Sequence, residues 1–127
     1  MLPAIQTLET LANNEWRIHF MLATDLACFE GHFDAHPVLP GVVQIDWAVR
    51  FAEQLLQQPL FFAGMRNIKF MQIIKPNVPL NLLLEYLPAK HQLKFCYQKI
   101  VENNVSDCAK GIIELESSGA FLNESLG

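Results

Sequence analysis

Cysteine, charge and long apolar runs are all scarce in this sequence of 127 residues. The three cysteines, Cys28, Cys96 and Cys108, form no CxxC pair and no short spacing, which argues against a disulfide framework and a cysteine-ligated zinc site. Reduced thiols packed as small apolar groups are expected instead, as in a reducing cytoplasm.

The charge balance and the apolar runs limit the partners of the chain. Nine basic and thirteen acidic residues give a formal charge of −4, which leaves no basic surface for wrapping nucleic acid. The amino-terminal segment has no basic stretch followed by an apolar one, and no apolar run approaches the roughly 20 residues of a membrane-spanning helix. We therefore expect a cytoplasmic protein with no nucleic-acid partner and no membrane span.

Apolar residues, by contrast, are abundant. They make up 51% of the chain, against 17% charged residues, so a single domain over residues 1–127 can bury a core and still leave apolar surface. Such surface is typical of a subunit, and a homo-oligomer is expected. Residues 117–127 have no long periodic pattern, so this tail is expected to fray.

The order of the hydrophobic patterns predicts an α+β domain. Residues 15–22 alternate as in a half-buried strand, and a long loop rich in Gly, Pro, Asp and His follows. One helix is predicted from Pro40 to about Gln58, and a four-strand meander after it, over residues 60–74, 79–87, 91–100 and 105–117. An antiparallel sheet curled around one central helix satisfies both the strand alternation and the all-round apolarity of the helix.

The segment GHFDAHPVLPGVVQID, residues 31–46, holds several ingredients of a proton-transfer site. His32 is an imidazole that can take and return a proton near neutral pH. Gly41 follows Pro40 at the predicted helix start, where the first N–H groups have no intrahelical partner and suit an oxyanion next to a thioester carbonyl. A solvated loop histidine and an ordinary Pro-Gly helix start are the alternatives.

Asp46 is a lone carboxylate within the apolar first half of this helix. Its neighbours predict at least partial burial, and a buried carboxylate needs charged or hydrogen-bonding partners. An i,i+4 ion pair with Arg50 is the simplest account. If two such helices lie side by side in a dimer, Asp46 of one chain can instead face His32 of the other.

A metal site is a second interpretation of the same loop, since His32, Asp34 and His36 form an H-x-D-x-H run. Divalent metals accept such ligands. No further histidine or cysteine cluster completes the shell, so no metal is expected.

The stretch FEGHFDAHPVLPGVVQID resembles the signature of the bacterial β-hydroxyacyl-acyl-carrier-protein dehydratases, G-H-F-P-G-x-P-V-x-P-G-V with an acid fourteen residues after the histidine. His32 and Asp46 occupy those two places. The later stretch MRNIKFMQIIKPNVPLNLLLEY resembles the second conserved block of that family. The resemblance implies a hot-dog fold, in which an antiparallel sheet wraps a long central helix, and assembly as dimers or trimers of dimers.

The reaction implied by the resemblance is reversible syn loss of water from a (3R)-3-hydroxyacyl thioester on acyl carrier protein, giving a trans-2-enoyl thioester. His32 would be the general base, and Asp46 from the partner chain would handle the hydroxyl group. Gly41, with Phe33 and Val42 beside it, would bind the thioester carbonyl. No cofactor is needed, because the thioester already acidifies the α-carbon.

Three positions depart from the family pattern. Asp34-Ala35 replace the usual Pro-Gly after G-H-F, and Pro79-Leu80 replace a Gly-Asp in the second block. Arg50 replaces a glutamine four residues after the acid. An arginine there would favour the ionised form of Asp46, which weakens this carboxyl as a proton donor.

The combination PVLPGVVQIDWA resembles most the small stand-alone dehydratases of aryl-polyene-type pathways. On that resemblance the acyl chain is conjugated and begins with an aromatic ring. Phe61, Phe62 and Met65 are then candidates for lining a flat tunnel, with ordinary core packing as the alternative.

The partner that the resemblance implies is an acidic carrier protein with an acyl chain on its phosphopantetheine. Arg66, Lys69 and Lys75 are candidates for a basic patch that attracts it, although solvated strand charges explain them equally well. A hetero-oligomer with a related hot-dog subunit is an alternative to the homo-oligomer.

Two other functions fit the same fold. A hot-dog acyl thioesterase would use the helix carboxylate for hydrolysis, but it does not call for the G-H-F and P-V-x-P-G block. A non-catalytic subunit that only binds acyl carriers is supported by Arg50 and the altered loop.

Overall fold

The computed structural model describes residues 2–24 and 37–117. This part of the chain forms six strands, one long helix and a short 3-10 turn, Pro88–Lys90. The bounds are β1 Thr7–Ala12, β2 Glu15–Met21, α1 Gly41–Leu56, β3 Phe62–Phe70, β4 Pro79–Leu87, β5 Gln92–Val101 and β6 Asn104–Leu115. Residues 118–127, nearly all of the tail expected to fray, lie outside the described residues.

The six strands form one antiparallel sheet in the order β1-β2-β4-β5-β6-β3. Strands β4, β5 and β6 form a meander, as predicted. The predicted four-strand meander is wrong for β3, because this strand pairs with β6 at the far edge instead of with β4. Alternation along a strand indicates which face is buried, but it does not specify the neighbouring strand.

Strand β1 was not predicted from the sequence. All six residues of TLETLA are exposed, because this edge strand has no buried face to impose an alternating pattern. It pairs with β2 in register, and Glu9 accepts hydrogen bonds from the facing Arg17, with the closer oxygen at 3.1 Å. Cross-strand pairing therefore defines β1 where local hydrophobicity does not.

One face of the sheet packs against α1 and forms the core. Alternate residues of β2, β4 and β5 point inward and are buried, and the helix contributes the buried stripe Gln44, Trp47, Ala48, Phe51 and Ala52. The predicted α+β arrangement, an antiparallel sheet against one long helix, is confirmed. The largest fully buried side chains of the core are Phe20, Phe51, Tyr97, Ile18, Leu80, Leu82, Leu84, Leu93 and Ile113.

The helix occupies 16 residues, within the predicted span. Pro40 has extended dihedral angles and precedes the first turn, as its fixed φ favours. The helix ends at Gln57, which adopts a left-handed conformation with φ of 55°, and Pro59 prevents continuation. No helix in the described ranges is long and apolar enough to cross a membrane.

Candidate active site

The head of α1 has no side-chain cap and no acidic residue in its first turn. The carbonyl oxygen of Pro40 accepts hydrogen bonds from the backbone N–H groups of Val43 and Gln44, both at 3.1 Å. The N–H groups of Gly41 and Val42 have no acceptor within the part of the chain that the structure describes. Two amide donors at the positive end of the helix dipole are therefore available to a ligand oxygen.

Gly41 lies directly against the ring of Phe70, at the end of β3. A Cβ atom at position 41 would come within 2.7 Å of the Phe70 Cζ atom, closer than real Cβ contacts. A larger residue at position 41 would therefore displace the Phe70 ring from the helix head. Phe70 is 53% exposed, so the ring covers the helix head on one side and faces open space on the other.

Asp46 is exposed in the single chain, which corrects the expectation of partial burial. Its carboxylate lies 3.4 Å from the Nε atom of Arg50, and the two side chains are 57% and 61% exposed. Arg50 also lies 4.0 Å from a carboxylate oxygen of Glu53. The buried stripe of α1 faces the sheet, and Asp46 lies away from that stripe.

The helix as a whole is also less buried than its sequence predicted. Its apolar residues continue around the circumference, but residues 2–24 and 37–117 cover only the face toward the sheet. Val42 is 75% exposed, and Val43, Ile45 and Val49 are only partly buried. All-round apolarity therefore marks surface that this chain leaves uncovered.

A groove of about 510 Å³ runs between the open side of α1 and strand β3. Of the tunnel candidates, Phe62 and Met65 line it, whereas Phe61 does not. Asp46 and Arg50 lie on its polar side. The other lining residues are Val42, Ile45, Val49, Glu53, Leu60 and Phe70.

Part of the predicted site lies outside the described residues. This concerns His32 and Phe33, as well as the Asp34 and His36 of the alternative metal site. Among the described residues, no group of three or more His, Cys, Asp or Glu side chains is arranged to hold a metal ion.

The candidate carrier-protein residues have three different surroundings. Arg66 forms an ion pair with Glu114 of β6. Lys69 faces Lys110 across the β3–β6 ladder, beside a second groove on the sheet face away from α1. Lys75 follows β3 and lies near Lys99 in a separate depression. The fold therefore does not bring these three residues into a single basic cluster.

Comparison with known proteins identifies the family. The sequence model of the ApeI-like family, described as ApeI dehydratase, matches residues 8–112. The chain belongs to the ApeI-like dehydratase family. The dehydratase resemblance seen in the sequence is thereby confirmed, as is its aryl-polyene branch.

Solved structures agree with this assignment to the ApeI-like dehydratases. One chain of the dehydratase heterocomplex ApeI:P from Xenorhabdus doucetiae is 33% identical, with a TM-score of 0.79, over 91% of this chain and 98% of that one. An uncharacterised protein from Erwinia carotovora subsp. atroseptica is 32% identical, with a TM-score of 0.82, over 91% and 97%. The dehydratase domain of the CurF module of curacin polyketide synthase, at 13% identity and a TM-score of 0.66, shares the fold, which is the predicted hot-dog fold.

Curated relatives include 3-hydroxyacyl-[acyl-carrier-protein] dehydratases named FabZ. The protein from Novosphingobium aromaticivorans is 27% identical, with 80% of this chain and 72% of the relative covered. That from Lawsonia intracellularis is 35% identical, with 61% and 58% covered. The chain spans about half the length of several other FabZ relatives. The names of these relatives agree with the predicted dehydratase family.

Sequence reasoning missed two buried residues at the helix head of this ApeI-like dehydratase, Tyr97 and Gln44. Tyr97 of β5 donates a hydrogen bond of 2.6 Å to the backbone oxygen of Gln44. Burial, together with the carboxylate of Asp46, raises the pKa of the Tyr97 hydroxyl well above its ordinary value, so it remains a neutral donor. The one available signal was Gln44, a polar residue on the otherwise apolar stripe.

The thiols described in this ApeI-like dehydratase are free and not nucleophilic. Burial, and secondarily the charge of Asp107, raise the pKa of Cys96 to about 12. Burial also raises the pKa of Cys108. Both remain protonated at neutral pH, which agrees with the predicted packing role. Cys28 lies outside the described residues.

Proposed function

We propose that this chain catalyses the reversible loss of water from (3R)-3-hydroxyacyl thioesters on acyl carrier protein, giving trans-2-enoyl thioesters. The observation that carries the proposal is the uncapped helix head, where the Gly41 and Val42 amides adjoin an apolar groove that contains Asp46. The amides supply an oxyanion site, the groove suits an acyl chain, and the carboxylate supplies acid or base chemistry.

In this mechanism the Gly41 N–H donates to the thioester carbonyl oxygen. His32 removes the proton from the α-carbon, and the electron pair moves toward the carbonyl, where the helix head stabilises the developing negative charge. The pair then forms the α,β double bond as the C–O bond to the β-hydroxyl breaks. Asp46 positions the hydroxyl group, which leaves as water with the proton that His32 removed from the α-carbon, so that the enzyme returns to its starting protonation state.

A second subunit completes this site. The groove side of the single chain exposes Val42, Phe62, Met65 and Phe70, and β3 beside them is the last strand of the sheet. Exposed apolar side chains next to an open strand edge favour a subunit contact. Asp46 lies on this surface, so it is accessible to His32 of a partner chain. The partner is a second copy or a related hot-dog subunit, as in the ApeI:P heterocomplex.

The groove also supports a substrate class. Phe62, Met65 and Phe70 give it flat aromatic and sulfur-bearing walls, which suit a conjugated or aryl-terminated acyl chain. Exposed Lys69 and Lys75 supply positive charge for an acidic carrier protein. The free thiols of Cys96 and Cys108 agree with a cytoplasmic location.

Product analysis tests this function against its rivals. A 3-hydroxyacyl group on carrier protein, or on N-acetylcysteamine, is incubated with the assembled protein and followed by enone absorbance and mass spectrometry. Loss of one water is the expected result. Release of free acid would establish a thioesterase, and carrier binding with no turnover of any acyl chain would establish a non-catalytic subunit.

A further inference from the structure

The peptide group that carries the Gly41 N–H is held through its carbonyl oxygen, which belongs to Pro40. Peptide groups are planar and trans, so the Pro40 carbonyl and the Gly41 N–H point in opposite directions. The Pro40 oxygen accepts the N–H groups of Val43 and Gln44 inside the first turn. The orientation of the Gly41 N–H therefore depends on how firmly this first turn is fixed.

Gln44 fixes that turn through its side chain. Its Nε2 atom donates a buried hydrogen bond of 3.0 Å to the carbonyl oxygen of Leu39, the residue before Pro40. The N–H of Leu39 donates in turn to the oxygen of Ile74 at 2.8 Å, which ties the turn to the segment between β3 and β4. Both backbone polar groups of Leu39, two residues before Gly41, are thus bonded to buried structure.

Tyr97 anchors Gln44 to the sheet. Its hydroxyl donates to the Gln44 backbone oxygen at 2.6 Å. Both residues are buried, with Tyr97 0% and Gln44 3% exposed. The bond joins the centre of β5 to the first turn of α1. Tyr97, Gln44 and Leu39 therefore form a continuous buried connection from the sheet to the residues before Gly41.

This connection is not explained by stability alone. The Oε1 atom of Gln44 is buried and accepts no hydrogen bond from the described residues. A buried acceptor without a donor costs free energy, and an apolar side chain of similar length would avoid that cost. A methionine there would leave the Leu39 oxygen without its donor but would also remove the unpaired Oε1 atom, so the two effects oppose each other.

We propose that Gln44 and Tyr97 are positioning residues that hold the Gly41 amide in the direction required for the thioester carbonyl. The inference rests on the proposed dehydration. It assigns to the buried connection a role in the transition state. A misdirected donor lowers kcat strongly there, while the free energy of unfolding changes little.

The test compares Gln44→Met and Tyr97→Phe with matched controls. Gln54→Met changes an exposed glutamine of the same helix, and Tyr86→Phe removes a hydroxyl from β4 that makes no described hydrogen bond to α1. For each variant, kcat and KM are measured per folded molecule, and the carbonyl stretching frequency of a bound carbonyl-¹³C enoyl thioester is recorded. This frequency reports hydrogen bonding to the carbonyl directly.

We expect kcat to fall about tenfold or more in both test variants, with KM for the carrier-bound substrate within about twofold of wild type. The carbonyl band should move toward its position in water, and both controls should match wild type. The double variant should be no slower than the slower single variant, because both act through one turn.

Wild-type kcat and an unshifted carbonyl band in Gln44→Met and Tyr97→Phe would overturn the inference while leaving the dehydratase proposal intact. Losses of total activity that only match the fraction of unfolded protein would also overturn it. If the wild type itself removes no water, the proposed function fails, and the carbonyl band of the bound thioester still decides whether these two residues direct the amide.

Discussion

At the residue scale, the proposed oxyanion site depends on the missing side chain of Gly41. The ring of Phe70 occupies the space where a Cβ atom would lie, and the amide beside it has no acceptor among the described residues. Position 41 therefore combines a close contact with the Phe70 ring and an amide that those residues leave without an acceptor. Steric and catalytic effects of a substitution here can be separated, because Phe70 is half-exposed and its ring has room to move.

Gly41→Ala is expected to lower kcat/KM at least tenfold, since the new methyl group displaces the Phe70 ring and crowds the oxygen that the amide binds. The melting temperature should change by only a few degrees, because alanine is well tolerated in the first turn of a helix. Gly64→Ala on β3 is the control, as no atom lies within 4 Å of its added Cβ. Wild-type kcat/KM in Gly41→Ala would show that the space beside this amide does not affect binding of the carbonyl oxygen, since alanine keeps the N–H group.

At the element scale, the end of α1 contains a correctable strain. Gln57 adopts φ of 55° and ψ of 42°, a left-handed conformation that glycine adopts without a Cβ penalty. The helix carries the candidate donor at its start and Asp46 one turn later, so its stability can be varied at the far end without altering either group.

Gln57→Gly is expected to raise the free energy of unfolding by up to about 1 kcal/mol, because the left-handed strain is relieved. For a chain of this size that corresponds to about 3 °C in melting temperature. Gln58→Gly, at a position without positive φ, should be neutral or slightly destabilising. Equal losses of melting temperature in both variants, measured by circular dichroism, would contradict the assigned role of Gln57.

The elements with a buried face were those that the sequence predicted. Strand β2 and helix α1 have periodic apolar residues. Left-handed Asn77 and Asn103 lie in the turns that separate β3 from β4 and β5 from β6. Strand β1 was missed because both of its faces are exposed. The position of β3 beside β6 was missed because it depends on long-range pairing.

In the candidate site, too, features that are local in sequence could be predicted and long-range contacts could not. Gly41 and Asp46 could be proposed from the sequence because their spacing from His32 is local in the chain. The buried Tyr97 was not found, since it reaches the helix head from a strand more than 50 residues away. The exposure of Asp46 was also mispredicted, because apolar neighbours can be covered by another subunit as well as by the chain itself.

At the scale of the whole molecule, the groove side of α1, which carries Asp46, faces away from the hydrophobic core of the chain. The groove between α1 and β3 is open, apolar and continuous with an unpaired strand edge. Asp46 lies on this surface, so a two-fold contact across it would place Asp46 at the subunit boundary. The dehydratase activity is therefore expected to be a property of the assembled protein.

The most direct test is complementation between two inactive variants, His32→Ala and Asp46→Asn, assayed for water loss from a 3-hydroxyacyl thioester. Each variant alone is expected to be inactive. After the two are mixed under conditions that exchange subunits, about a quarter of wild-type activity should return, because half of the dimers are mixed and each has one intact site. A mixture that exchanges subunits but stays inactive, beside an active wild type, would contradict a site shared between His32 and Asp46 of different chains.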